Sequence, residues 1–119
     1  MELLRGVDRG EPRTLLARAY VDHARGNLEE ASGRAWDAVA LRLSGVAAAR
    51  GWPSSTHRDL HAAIERLVTE TGDARWRLLM ASATALHTNC NEGWLPSDWV
   101  LRDLDHVAEL TEKLDALAV

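Results

Sequence analysis

At 119 residues and 13.1 kDa the chain is sized for one domain, and 46% hydrophobic with 27% charged residues sets it apart from chains that stay disordered. A net charge of -4 and a pI near 5.7 exclude a global basic field for nucleic acid or anionic membranes, so any such contact requires a local patch. The apolar stretches are interrupted before the eighteen or so residues of a membrane span, and Met1 to Gly10 carries Glu2, Arg5, Asp8 and Arg9 where a signal peptide has its apolar region. The expectation is a soluble, cytoplasmic protein with no membrane partner, read as a single domain over 1–119 with a loosely ordered stretch at 1–12. Cys90 stands alone, so the core and not an intrachain disulfide must supply stability. Thirteen of the fourteen Lys and Arg residues are Arg, a bias spread along the chain and better explained by codon usage than by a binding surface.

With three prolines the chain has little punctuation, and the segments between breakers are too long for strands. From Arg13 to Gly26, Leu16, Ala19 or Tyr20, and Ala24 recur at helical spacing. Asn27 followed by Glu30 has the form of a capping box and opens a long helix to Arg50, apolar over most of its circumference between Ala35 and Ala49, as befits the centre of a bundle. Thr56 with Asp59 repeats the capping signature ahead of the stripe Leu60, Ala63 or Ile64, and Leu67, closed by Gly72. A fourth helix runs from about Arg75 to Glu92 with Trp76, Leu79 or Met80, Ala83, Leu86 and Cys90 on one face and Gly93 as its C-cap. Pro96 and Ser97 begin a fifth, with Val100, Leu104, Val107, Leu110 and Leu114 inward and Arg102, Asp103, Asp105, Glu109, Glu112 and Lys113 toward water. The fold class is all-α, a compact antiparallel bundle of about five helices. Gly26 to Ala31 also has the look of one tetratricopeptide unit, but no second copy follows at the required period.

The helix around Glu29 to Ala40, the turn Gly51-Trp52 leading to His57-Arg58-Asp59-Leu60, the run Ala85-Leu86-His87-Thr88-Asn89 and the closing Glu92-Gly93-Trp94-Leu95-Pro96 together resemble the PaREP1 family. The similarity spans roughly Leu16 to Leu117. The resemblance implies a HEPN-like bundle that dimerises, and no defined activity. The family pattern continues after Asn89 with two aromatics, where this chain has Cys90 and Asn91.

Some HEPN proteins are metal-independent ribonucleases with four to six residues between an Arg and a following His, and Arg18 with His23 and Arg50 with His57 fit that spacing. Chance alone supplies about 1.6 such pairs in a chain of this composition. For a ribonuclease, Arg50 and His57 form the better pair, His57 as general acid or base and Arg50 on phosphate charge. Ser55, Thr56, His57 and Arg58 sit at a helix start suited to an anion, although capping alone explains their composition. His57 and His61, four apart, with His87 and Cys90, three apart, have metal-ligand spacing, but Arg58 occupies the position where helical zinc hydrolases place Glu. No metal is favoured and no cofactor is expected. His87, Asn89, Asn91, Glu92 and Trp94 form a polar cluster at the end of the fourth helix, able either to line a pocket with His87 as acid or base or to tie the helix end to the following turn.

The functional expectation is a small HEPN-like module, homodimeric through Gly33, Ala38, Leu41, Gly45 and Ala48 on the second helix, acting in protein interaction or in nucleotide or anion binding. A partner such as a nucleotidyltransferase and an RNA or nucleotide ligand belong to that reading. The alternatives are the HEPN-type ribonuclease and a His/Cys metal site. No glycine-rich phosphate loop, paired catalytic carboxylates, Gly-x-Ser-x-Gly elbow or Cys-x-x-Cys pair occurs.

Overall fold

Residues 11–117 are described by a computed structural model, in which five helices follow one another: α1 (Pro12–Ala24), α2 (Leu28–Ala49), α3 (His57–Thr71), α4 (Arg75–Glu92) and α5 (Ser97–Leu117). Of the stretch expected to be loosely ordered, residues 1–10 lie outside the described residues, and Pro12 already belongs to α1, where its missing N–H has no helical partner to lose. The bundle is all-α among the described residues, as its periodicity required.

The ends of the helices follow their local chemistry closely. Thr56 caps α3 by accepting from the Asp59 N–H at 3.0 Å, while the Asp59 carboxylate accepts from the N–H groups of Ser55 and Thr56. Gly72 and Gly93 end α3 and α4 in the left-handed conformation, at φ 72° and 62°. Asn27 is the N-cap residue of α2, but its side chain makes no capping hydrogen bond, so the box expected there with Glu30 does not form.

Central position follows from α2's alanine-rich surface. Ala31, Ala35, Ala38, Ala40 and Ala47 are buried with Val39 and Leu43, and α2 meets each of the other four helices. Side-chain pairs fix the directions of its neighbours. Ser32 pairs with Asn89 and Trp36 with His87, so α2 and α4 run antiparallel; Arg75 pairs with Glu109 and Ser82 with His106, so α4 and α5 do too. On α1, Tyr20 donates to Asp105 on α5 at 2.6 Å, a bond that together with burial raises its phenol pKa.

Two expectations about faces change. The small residues of α2 are no free stripe: Ala38 is sealed in the core, Gly33 faces the Cβ of Cys90 on α4, and of the five only Gly45 and Ala48 are exposed. The reason is angular: at 100° per residue the five positions cover an arc of about 140°, and its two edges, Gly33 and Ala38, turn toward α4 and the core. Asp103, expected to face water, is 1% exposed.

Candidate functional site

The end of α4 carries its polar residues toward α2. Asn89 is fully buried and fully used: its amide donates to the Ser32 hydroxyl at 3.0 Å, and its carbonyl oxygen accepts from the Leu95 N–H at 2.7 Å. Ser32 in turn donates to the Leu28 carbonyl at 2.7 Å. One side chain thus ties α2, α4 and the turn before α5, and the side-chain polar atoms of Asn89 and Ser32 all have partners. Gly93 completes the turn, for a Cβ there would come within 3.0 Å of the Glu29 carboxylate. Glu92 and Trp94, grouped with these residues in the sequence, stand exposed beside the turn.

One half-turn away, three rings from three helices converge. His57, at the first position of α3, stacks nearly parallel to Trp36 of α2, at 5.4 Å between ring centres and 6° between planes. His87 of α4 lies 4.5 Å from both rings, tilted about 30° to Trp36 and 29° to His57. Trp36 is buried and forms the floor, His57 is exposed, and His87 is half-buried between them. The Nδ1 atom of His87 is buried and has no hydrogen-bond partner. Burial first, and then the charge of His57, push the His87 pKa below its ordinary value, so that its imidazole is held neutral around pH 7. A neutral imidazole offers one N–H donor and one basic nitrogen, and here it stands against an aromatic platform ending in an exposed ring.

The remaining candidates from the sequence go elsewhere. Arg50 forms a two-point ion pair with Glu70 of α3, at 2.8 and 3.3 Å, and its guanidinium lies 5.4 Å over Trp52; no hydrogen bond or ion pair links it to His57. Of the other Arg/His pair, His23 bonds through Nε2 to the Ser97 carbonyl and hydroxyl at the start of α5. At the start of α3, the Asp59 carboxylate occupies the position an anion would take, accepting the N–H groups of Ser55 and Thr56, with Arg58 exposed alongside. His61, a full turn beyond His57, approaches Thr84 at 3.5 Å and lines a different groove with Ile64, Glu65, Arg77 and Met80. Cys90 donates its S–H to the His87 carbonyl at 3.0 Å, and burial, with the Asp37 carboxylate second, pushes its thiol pKa up, away from the thiolate a metal needs. Among the described residues no three His, Cys, Asp or Glu side chains gather as a metal-holding group.

In the sequence Trp36 stands in the apolar run of α2 with nothing to mark it as part of a site, and Ser32 carries no motif of its own. The available signal for the second was its position three and four residues ahead of Ala35 and Trp36, on the same helix face, since a hydroxyl facing the core requires a partner there.

A five-helix bundle in which a half-buried imidazole with one unpartnered nitrogen stacks between a buried tryptophan and an exposed imidazole defines the class: a small all-α domain with a cluster of rings reaching its surface. The chain belongs to the archaeal PaREP1/PaREP8 family, whose model matches residues 11–111. No curated protein and no solved structure matches it. No helix among the described residues is long and apolar enough to cross a membrane.

Proposed function

We propose that this protein is a HEPN-like, cytoplasmic, homodimeric module that binds a nucleotide or an RNA segment at His57 and His87. The observation carrying this reading is the ring stack itself: Trp36, His87 and His57 lie within 4.5 to 5.4 Å of one another and the series ends at an exposed imidazole. A nucleobase can extend such a stack, and an imidazole N–H can bond a phosphate or a base edge. The buried, unpartnered Nδ1 of His87 favours a ligand-facing role over pure architecture, because an orphaned polar atom costs about 1–3 kcal/mol in a core with nothing to offset it. Binding is favoured over cleavage because Arg50, the group cast for phosphate charge, is already held by Glu70.

A second reading, a metal-independent ribonuclease, draws on the depressed pKa of His87: a neutral imidazole beside a second one is the arrangement of a base and an acid, His87 taking a proton and His57 giving one. Arg50 would serve it only by leaving Glu70. A polypeptide partner such as a nucleotidyltransferase is the corresponding interaction proposal.

The test is titration of wild type, His57→Ala and His87→Ala with adenosine monophosphate and with a short single-stranded RNA, together with an RNA-cleavage assay. Saturable binding lost in both variants, with no cleavage, is the expected result. Cleavage abolished by either substitution moves the reading to the ribonuclease, and equal binding by all three proteins overturns the site. Light scattering on the eluting protein should give the mass of two chains; a monomer at micromolar concentration removes the dimer.

A further inference from the structure

A second polar constellation lies between α4 and α5, separate from the ring stack. Leu78, Ala81 and Ala85 of α4 face Arg102, Asp103 and His106 of α5 across a groove of about 310 Å³. Ser82 and His106 are joined through the hydroxyl and Nδ1 at 2.7 Å, which fixes that imidazole in the groove wall. Asp103 is 1% exposed, yet only one of its oxygens is engaged: Arg102 Nε reaches Oδ1 at 3.3 Å, while the buried Oδ2 has no partner. The guanidinium of Arg102 is drawn aside, its carbon 5.0 Å over the exposed ring of Trp99. Arg102 is itself 55% exposed, so it covers the carboxylate loosely and can swing away.

A buried carboxylate with one oxygen unsatisfied is costly unless a cationic donor completes it. The walls set the rest of the requirement. Leu78 is 49% exposed and the alanines beside it are small, leaving an apolar channel for a short aliphatic chain that leads to the acid. We propose that this groove binds a small alkylguanidinium or alkylammonium compound, its cationic head on Asp103 Oδ2 and its chain along Leu78, Ala81 and Ala85, with Arg102 as the displaceable cover.

The test is NMR titration with n-butylguanidinium, using neutral n-butylurea as control. Saturable shifts at Ala81, Ala85 and His106 with the cation and none with the urea are expected. Asp103→Asn should weaken binding at least about tenfold, the size expected from losing a charge-assisted contact. Arg102→Ala, a change at an exposed side chain that leaves the core intact, should strengthen it by removing the competing cation. Absence of saturable shifts in both wild type and Arg102→Ala overturns the proposal even if Asp103→Asn fails to fold, and so does equal binding of the urea.

Discussion

Asn89 and His87 sit two residues apart on the same helix and face the same neighbour, α2, yet they are treated in opposite ways. Asn89 is wholly buried and both ends of its amide are used, by Ser32 and by the Leu95 N–H. His87 is half-buried, stacked between Trp36 and His57, and keeps a nitrogen without a partner. The contrast separates two uses of a polar residue at a helix end. Where every donor and acceptor is matched, the residue specifies the fold; where a match is missing beside an exposed ring, the residue belongs to the site proposed for a ligand.

The difference can be broken first at Asn89. Asn89→Ala orphans the Leu95 N–H and removes the donor to the Ser32 hydroxyl, which keeps its own bond to the Leu28 carbonyl, and with the cavity left behind should destabilise the bundle by about 3 kcal/mol, read by urea denaturation. Next in size is the turn that Asn89 anchors: Gly93→Ala forces a Cβ into a left-handed residue and against Glu29, with an expected loss of about 1–2 kcal/mol by the same measurement. On the other side of the comparison the stability effects are small. His57→Ala, at an exposed position, should stay within about 0.5 kcal/mol of wild type while removing ligand binding.

The smallest effect is specific to His87 and its surroundings. Because the folded state holds the His87 pKa below its ordinary value of 6.5, the unfolded chain takes up that proton first as the pH falls. Stability conferred above the unfolded pKa therefore declines on acidification through that value and levels off below the folded one. His87→Phe keeps a flat ring in the stack and should flatten the part of the curve that declines as the pH falls through and below 6.5. An unchanged slope in that variant would show that burial and the neighbouring His57 do not depress the His87 pKa as described.

Much of the bundle was legible in the sequence because helix signals are local. The Thr56–Asp59 box, the glycines at 72 and 93 and the alanine-rich surface of α2 each act within a few residues or one helix face, and each appears where the pattern placed it. What the sequence hid depends on how helices meet. The convergence of His57 with His87, the separation of His61 from both, and the diversion of Arg50 to Glu70 are set by the rotation and height of α3 against α2 and α4, which no spacing along one helix encodes. Asp103 misled for the same reason: on α5 alone it reads as part of the charged face, and only the approach of α4 buries it. The unformed cap at Asn27 shows that even a local motif is an offer that the chain takes up only where the backbone geometry suits it.

We propose that the ring stack, and not the amide lock beside it, meets the ligand. This is tested most directly by following the imidazole resonances of His57 and His87 and the side-chain amide of Asn89 in one NMR titration with a short single-stranded RNA. Saturable shifts at both imidazoles, with the Asn89 amide unmoved, are predicted. Imidazoles that remain in place up to millimolar RNA, or shifts confined to Asn89 and its turn, would contradict the account.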